Sequence, residues 1–272
     1  MAQSFPKSGK HNFNRNLVKR HKLVPHLDRF LVTEPENFQF DYEPKKTDDG
    51  FHPSGHCTPS VTALYASAVE HIENAKIPGP RKKVERKASL QKTFLVGHFW
   101  HQLLQWAVVE MEMAEPEAIE RRGTRGWGPE QSIGNASIGE YQWLPYHWAT
   151  GSADIAPLVL PTGEEYLVDF KTMGSHDFKG AAMPAWAADK YEAQINIYLD
   201  FFDMERALIV AVQKDSPHDM KEFEFVRNQP LIDAIYDKWH FVSECLDAGE
   251  APSELDNDEF VLDDLFEGPV AQ

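Results

Sequence analysis

The chain has 272 residues, 42% of them hydrophobic and 26% charged, an ordinary composition for a globular protein with one sizeable core. It shows no uninterrupted apolar stretch of roughly 18 residues to predict a membrane span, and Met1 to Lys10 lack the apolar core of a secretory signal. Two distant cysteines, Cys57 and Cys245, argue against a disulfide framework, a four-cysteine zinc site or an iron–sulfur cluster, and predict a reducing cytoplasm.

The formal net charge of -16 is unfavourable for a polyanionic ligand, but it is unevenly spread. From Glu244 onward there are many acids and no Lys or Arg, whereas Lys7, Lys10, Arg15, Lys19, Arg20 and Lys22 make the start basic, as do Arg81, Lys82, Lys83, Arg86 and Lys87 further on. Charge alone thus neither supports nor excludes nucleic acid.

In chain order, residues 1 to 50 mix charge and proline with few periodic apolar positions and read as an irregular basic arm. Thr58-Pro59 predicts a helix start, Val61, Leu64, Tyr65, Ala68 and Ile72 keep helical spacing, and Pro78-Gly79-Pro80 stops it. A longer helix is expected from Lys92 to Glu115, and a Gly- and Arg-rich loop from Arg121 to Asn135. Tyr141 to Trp148 reads as extended, followed by strands over Ser152–Leu160 and Tyr166–Phe170, joined by a turn at Pro161-Thr162-Gly163-Glu164. Ala185–Asp203 returns to helical period; strands follow at Ala207–Gln213 and Lys221–Arg227, then an amphipathic helix from Leu231 to Leu246. The acidic tail beyond Ala248 is expected to be solvated or to lie on the surface. Clustering of strands in hairpins predicts an α/β layer rather than a doubly wound sheet.

The informative segment is GSADIAPLVLPTGEEYLVDFKT, from Gly151 to Thr172. On a strand Asp169 and Lys171, two apart, point the same way, and the hairpin brings Asp154 beside Asp169. Two adjacent carboxylates are costly to keep charged unless a cation joins them, and hard oxygen ligands suit Mg²⁺ or Mn²⁺. Lys171 then stands where an ammonium could orient or deprotonate water, the chemistry of phosphodiester hydrolysis. A lone DxK is usually an exposed charge pair; Asp154 on the preceding strand changes the odds. Gln194 and Tyr198, four apart on the next helix, share one face.

With these pieces in order, the chain resembles the RecB-like branch of the PD-(D/E)XK nucleases. The matches are Gly97 and His101 in GHFWH, Gly151 and Asp154 in GSAD, Asp169 and Lys171 in DFK, and Gln194 and Tyr198 in QINIY, with Phe51-His52-Pro53-Ser54-Gly55 similar to the opening segment of phage members. The resemblance spans roughly residues 51 to 215 and implies a restriction-endonuclease-like mixed sheet flanked by helices. The implied organisation is an arm over 1–50, a nuclease domain over 51–247 and a tail over 248–272. It further implies metal ligation by Asp154, Asp169 and His101, with Glu140 (or, second, Glu130) as an additional acid. Lys171 would handle water, and Gln194 and Tyr198 would brace the site or touch DNA. The implied cofactor is Mg²⁺ or Mn²⁺; the iron–sulfur cysteines of many relatives are absent. The implied partner is DNA, as linear ends or single-strand/double-strand junctions, with a single-strand annealing or recombination protein and a homo-oligomer left open. No membrane partner is expected, and the expected site of action is the host cytoplasm if the chain is phage-encoded.

The resemblance implies a metal-dependent exonuclease hydrolysing DNA phosphodiester bonds in phage or bacterial recombination or replication; rival readings are a structure-specific endonuclease and a DNA-binding or scaffold subunit that does not cut. His98 reads as structural, and His52, His56 and Cys57 form a weaker zinc candidate. Trp100, Trp106, Trp143, Trp148 and Trp186 read as core rather than base-stacking residues. The loop Gly174–Gly180, with His176 and Lys179, is a candidate DNA contact.

Overall fold

The computed structural model describes residues 22–33, 38–40, 50–76, 88–127, 146–179, 182–215 and 218–270. Its central element is a four-stranded mixed sheet in the order β3-β4-β5-β6 (Ile155–Val159, Glu165–Met173, Arg206–Gln213, Met220–Val226). β3 and β4 form the expected hairpin: Gly163, at φ +85°, takes the left-handed position of the turn, and the Leu160 N–H donates to the Glu164 carbonyl at 2.9 Å. β4 and β5 are parallel, which requires a crossover, and α5 (Ala185–Phe202) supplies it.

The sheet is apolar on both faces, so both must be covered. Tyr166, Val168, Phe170, Leu208, Val210 and Val212 face a core shared with α1 (Val24–Thr33) and α4 (Ala88–Glu110). Leu167, Met173, Ala207, Ile209 and Ala211 face α5. Behind α5 lies another core, built by α2 (Pro53–His56), α3 (Val61–Lys76) and α6 (Gln229–Ala248) around Phe51, Trp127 and Trp239. α5 is therefore buried on nearly all sides, and its polar side chains Glu192, Gln194 and Asn196 are enclosed with partners.

Several expectations are corrected. The arm holds a docked helix, α1: Leu23 and Leu27 are fully buried, worth roughly 1.5–3 kcal/mol each. The N–H groups of Lys22, Leu23 and Val24 all donate to the buried Glu222 carboxylate at 2.6–3.1 Å. The expected loop at Arg121 begins as strand β1 (Arg122–Gly126), paired antiparallel with β2 (Trp148–Ser152) in a separate two-stranded sheet. α3 starts at Val61, with Ser60 rather than Thr58 as its cap: the Ser60 Oγ accepts from the Ala63 N–H at 3.3 Å. α4 ends at Glu110, because the chain turns at Glu112 with φ +57°. The acidic tail, by contrast, lies on the surface as expected, with a short helix α7 (Asp256–Glu259), and bonds Thr62, Glu192, Glu224 and Asn228. Among the described residues no helix is long and apolar enough to cross a membrane.

α2 carries a pH-sensitive contact. The Nδ1 of His56 accepts from the His52 N–H at 2.8 Å, and burial, then the charges of His52 and His71, push its imidazole down to about 4. The unfolded chain takes up this proton near pH 6.5 whereas the folded one refuses it. Stability should thus be full above about pH 6.5 and fall toward pH 4, by up to about 3 kcal/mol before solvent screening reduces it. Denaturant titrations between pH 7 and 4 should show this slope, and His56→Gln should flatten it; an unchanged slope in the variant would contradict the assignment.

Candidate active site

β3 pairs with β4 only as far as Ile155 opposite Val168, and β4 runs on to Met173 without it. The N–H of Phe170, beyond the end of β3, is taken up by Asp154, whose Oδ2 accepts it at 2.6 Å. This bond carries Asp154 to the flank of β4 beside Asp169 and Lys171, which sit on the α5 face of that strand. Asp169, which is buried, forms an ion pair with the partly buried Lys171. The ring of Tyr191, from the first half of α5, lies 5.2 Å from the Lys171 ammonium. α4 contributes His101, whose Nδ1 is 3.2 Å from Asp154 Oδ1, and Gln105, whose Nε2 donates to the same oxygen at 3.3 Å.

Asp154, Asp169, Lys171 and His101 thus come together. Gln194 and Tyr198 adjoin them from α5, the Gln194 Nε2 donating to the Tyr198 hydroxyl at 3.2 Å. Their approach depends on two glycines paired across β1 and β2, Gly123 opposite Gly151. A Cβ on Gly151 would stand 2.6 Å from Tyr198 Cε1 and 3.1 Å from Pro53 Cδ; one on Gly123 would stand 2.5 Å from Phe201 Cβ. Gly151→Ala is expected to cost about 1–3 kcal/mol by displacing Tyr198 or β2. Thermal unfolding checks this, and an unchanged melting temperature would contradict the packing.

Burial would push the Asp154 carboxyl up, but His101, Lys171 and the Phe170 N–H outweigh it and hold it below its ordinary value. Burial would likewise lower Lys171 and His101; Asp169 and Asp154 reverse this for Lys171, and Asp154 chiefly does so for His101. Asp169 moves the other way: burial, with the Asp154 charge adding to it, outweighs Lys171 and raises its carboxyl. Lys171 is therefore an ammonium, suited to donating hydrogen bonds rather than to abstracting a proton.

The donor chemistry fits a hard dication in part. Asp169 Oδ2 is buried and, although it faces Lys171, accepts no hydrogen bond of normal geometry. The Asp154 oxygens are already engaged, and among the described residues no three His, Cys, Asp or Glu side chains are arranged around one ion. Glu130 and Glu140, the expected additional acids, lie outside the described residues, as do Arg81–Lys87, the arm up to His21, and Trp143. Cys57 is buried, and burial pushes its thiol up, which disfavours the thiolate a zinc site with His52 and His56 would need. Trp148 is buried as expected; Trp100 and Trp106 are partly buried against the core of α1 and α4. His176 is exposed, near Asp177.

Sequence reasoning missed Gln105 and Tyr191. Gln105 lies one helical turn after His101, a spacing that places it on the same face, and Tyr191 lies one turn before Ile195 in a helix already singled out.

No family model matches the chain, and no curated protein does. Among solved structures it is similar to a protein named SSO0001, at 15% identity, covering 84% of this chain and 87% of that one with a TM-score of 0.45. It is also similar to a phage related exonuclease from Haemophilus somnus 129PT, at 15% identity, covering 72% of this chain and 92% of that one with a TM-score of 0.39. Neither likeness assigns an activity. The fold itself is plain: a mixed α/β structure with a mixed sheet flanked by helices.

Proposed function

We propose that this chain is a metal-dependent deoxyribonuclease with a PD-(D/E)XK core, acting as an exonuclease on DNA ends. The observation that carries the reading is the ion pair of the buried Asp169 with the partly buried Lys171 on one face of β4, with a second buried carboxylate, Asp154, held at its flank.

Asp169, Asp154 and His101 are the residues that would hold Mg²⁺ or Mn²⁺. Bound there, the ion would supply Lewis-acid neutralisation of the phosphate and acidification of water. The chain's own groups do the rest. Lys171 keeps a proton at Nζ and can donate it in a hydrogen bond to water or to a phosphate oxygen. His101 and the Phe170 N–H hold Asp154 ionised. Gln194 fixes the Tyr198 hydroxyl, which braces α5 against β2.

One set of contacts favours a second reading. Asp154 is fully engaged by protein donors and no three-ligand group is formed by the described residues, as in a DNA-binding subunit that does not cut. End-labelled linear DNA and covalently closed circles, incubated with Mg²⁺, Mn²⁺ or EDTA, separate the cases. Metal-dependent loss of linear DNA with intact circles supports the exonuclease, and rapid nicking of circles favours an endonuclease. Binding without cleavage of either favours the non-cleaving subunit.

A further inference from the structure

His101 and Gln105 are four residues apart on α4 and reach Asp154 from the same helix face. They hold it differently. His101, with 29% of its side chain exposed, touches only Oδ1. Gln105 is 5% exposed, and its single Nε2 donates both to Asp154 Oδ1, at 3.3 Å, and to the main-chain carbonyl of Asp154, at 3.4 Å. An amide nitrogen that bridges the carbonyl and the carboxylate of one residue resists rotation of that side chain about either of its torsions. The Glu120 N–H donates to the same carbonyl at 2.9 Å, which fixes the backbone end of the bridge.

We infer that Gln105 is a positioning residue: it holds the Asp154 carboxylate in the one rotamer that faces Asp169, and so sets the affinity of the acid pair for a divalent cation. This rests on the nuclease reading above. Partners that orient metal ligands typically change affinity or activity by roughly 10- to 100-fold when removed, without forming a bond to the ion themselves. Gln105→Leu keeps the volume beside Leu104 and Val108 but removes the donor. Gln105→Asn keeps the amide and withdraws it by one methylene, and carries the test if the leucine variant does not fold. Ser243→Ala is the control: Ser243 is buried, accepts from Trp127 Nε1 at 3.2 Å and donates to the Tyr146 carbonyl, far from the acids in sequence and in a different core.

Mn²⁺ binding to the full chain, followed by electron paramagnetic resonance, is measured beside kcat and KM on linear duplex DNA. Both Gln105 variants are expected to raise the Mn²⁺ Kd and to lower kcat by roughly 10- to 100-fold, with KM for DNA within about twofold of wild type. Ser243→Ala should lower the melting temperature and leave both Kd and kcat unchanged. Gln105 variants with wild-type Mn²⁺ Kd and kcat would overturn the assignment while leaving the nuclease reading standing. Equal losses in Ser243→Ala would overturn it too, as a general effect of instability. A wild-type chain that neither binds Mn²⁺ nor cuts would overturn both.

Discussion

Replacing Lys171 with alanine is expected to lower the turnover of DNA cleavage by about 10³-fold, roughly 4 kcal/mol of barrier, while the protein remains folded. The reason is the charge state set by its surroundings. Lys171 is partly buried, yet Asp169 and Asp154 hold its ammonium above the ordinary lysine value, so in the proposed nuclease a positive charge would stand where negative charge builds on a phosphate. Removing one partner of a buried pair commonly costs about 3–5 kcal/mol because the other is left charged. Here burial and the Asp154 charge already raise the Asp169 carboxyl, which should keep the stability loss near or below the lower end. Steady-state kinetics on linear DNA, with melting curves alongside, separate the two effects. Unchanged turnover in Lys171→Ala would place the active site elsewhere.

Asp200→Ala should be strongly destabilising, by about 3–5 kcal/mol, or on the order of 10 °C in melting temperature. Its buried carboxylate pairs with Arg125 of β1, with Arg227 beyond β6 at 2.6 Å, and with the Tyr236 hydroxyl of α6 at 2.8 Å. One acid thus joins the two-stranded sheet, the edge of the main sheet and α6 at the end of α5. Its removal leaves two guanidinium groups without their common partner and frees the small sheet that carries Gly151. Asp200→Asn, which keeps hydrogen bonds but not the charge, should lose less. A change below about 1 kcal/mol in Asp200→Ala would mean that the arginines are held by other contacts.

What could be read from the sequence was what local periodicity and turn chemistry govern. The Gly163 turn, the β4 run from Tyr166 to Phe170 and the helical spacing of α5 all depend on residues within a few positions of one another, and all appear in the structure. β1 is the opposite case. Its RGTRG sequence has little strand propensity, and it becomes a strand because β2 pairs with it and because glycines at 123 and 151 let α5 lie close. α1 was hidden by its basic, proline-bearing surroundings; its capping carboxylate, Glu222, lies nearly two hundred residues away. At the site, Asp169, Lys171 and Asp154 were legible because strand alternation and one hairpin bring them together. Gln105 was not, because its four-residue spacing from His101 places it on the same helix face but names no partner until the tertiary fold is known.

The central claim is that Asp169 and Asp154 form the seat of a divalent cation. Crystals grown or soaked in Mn²⁺ test it most directly, through anomalous difference density at the manganese edge. One strong peak is expected in bonding contact with Asp169 Oδ2, with an oxygen of Asp154 beside it. Mn²⁺-saturated crystals with no density there, or with density only at other residues, would contradict it.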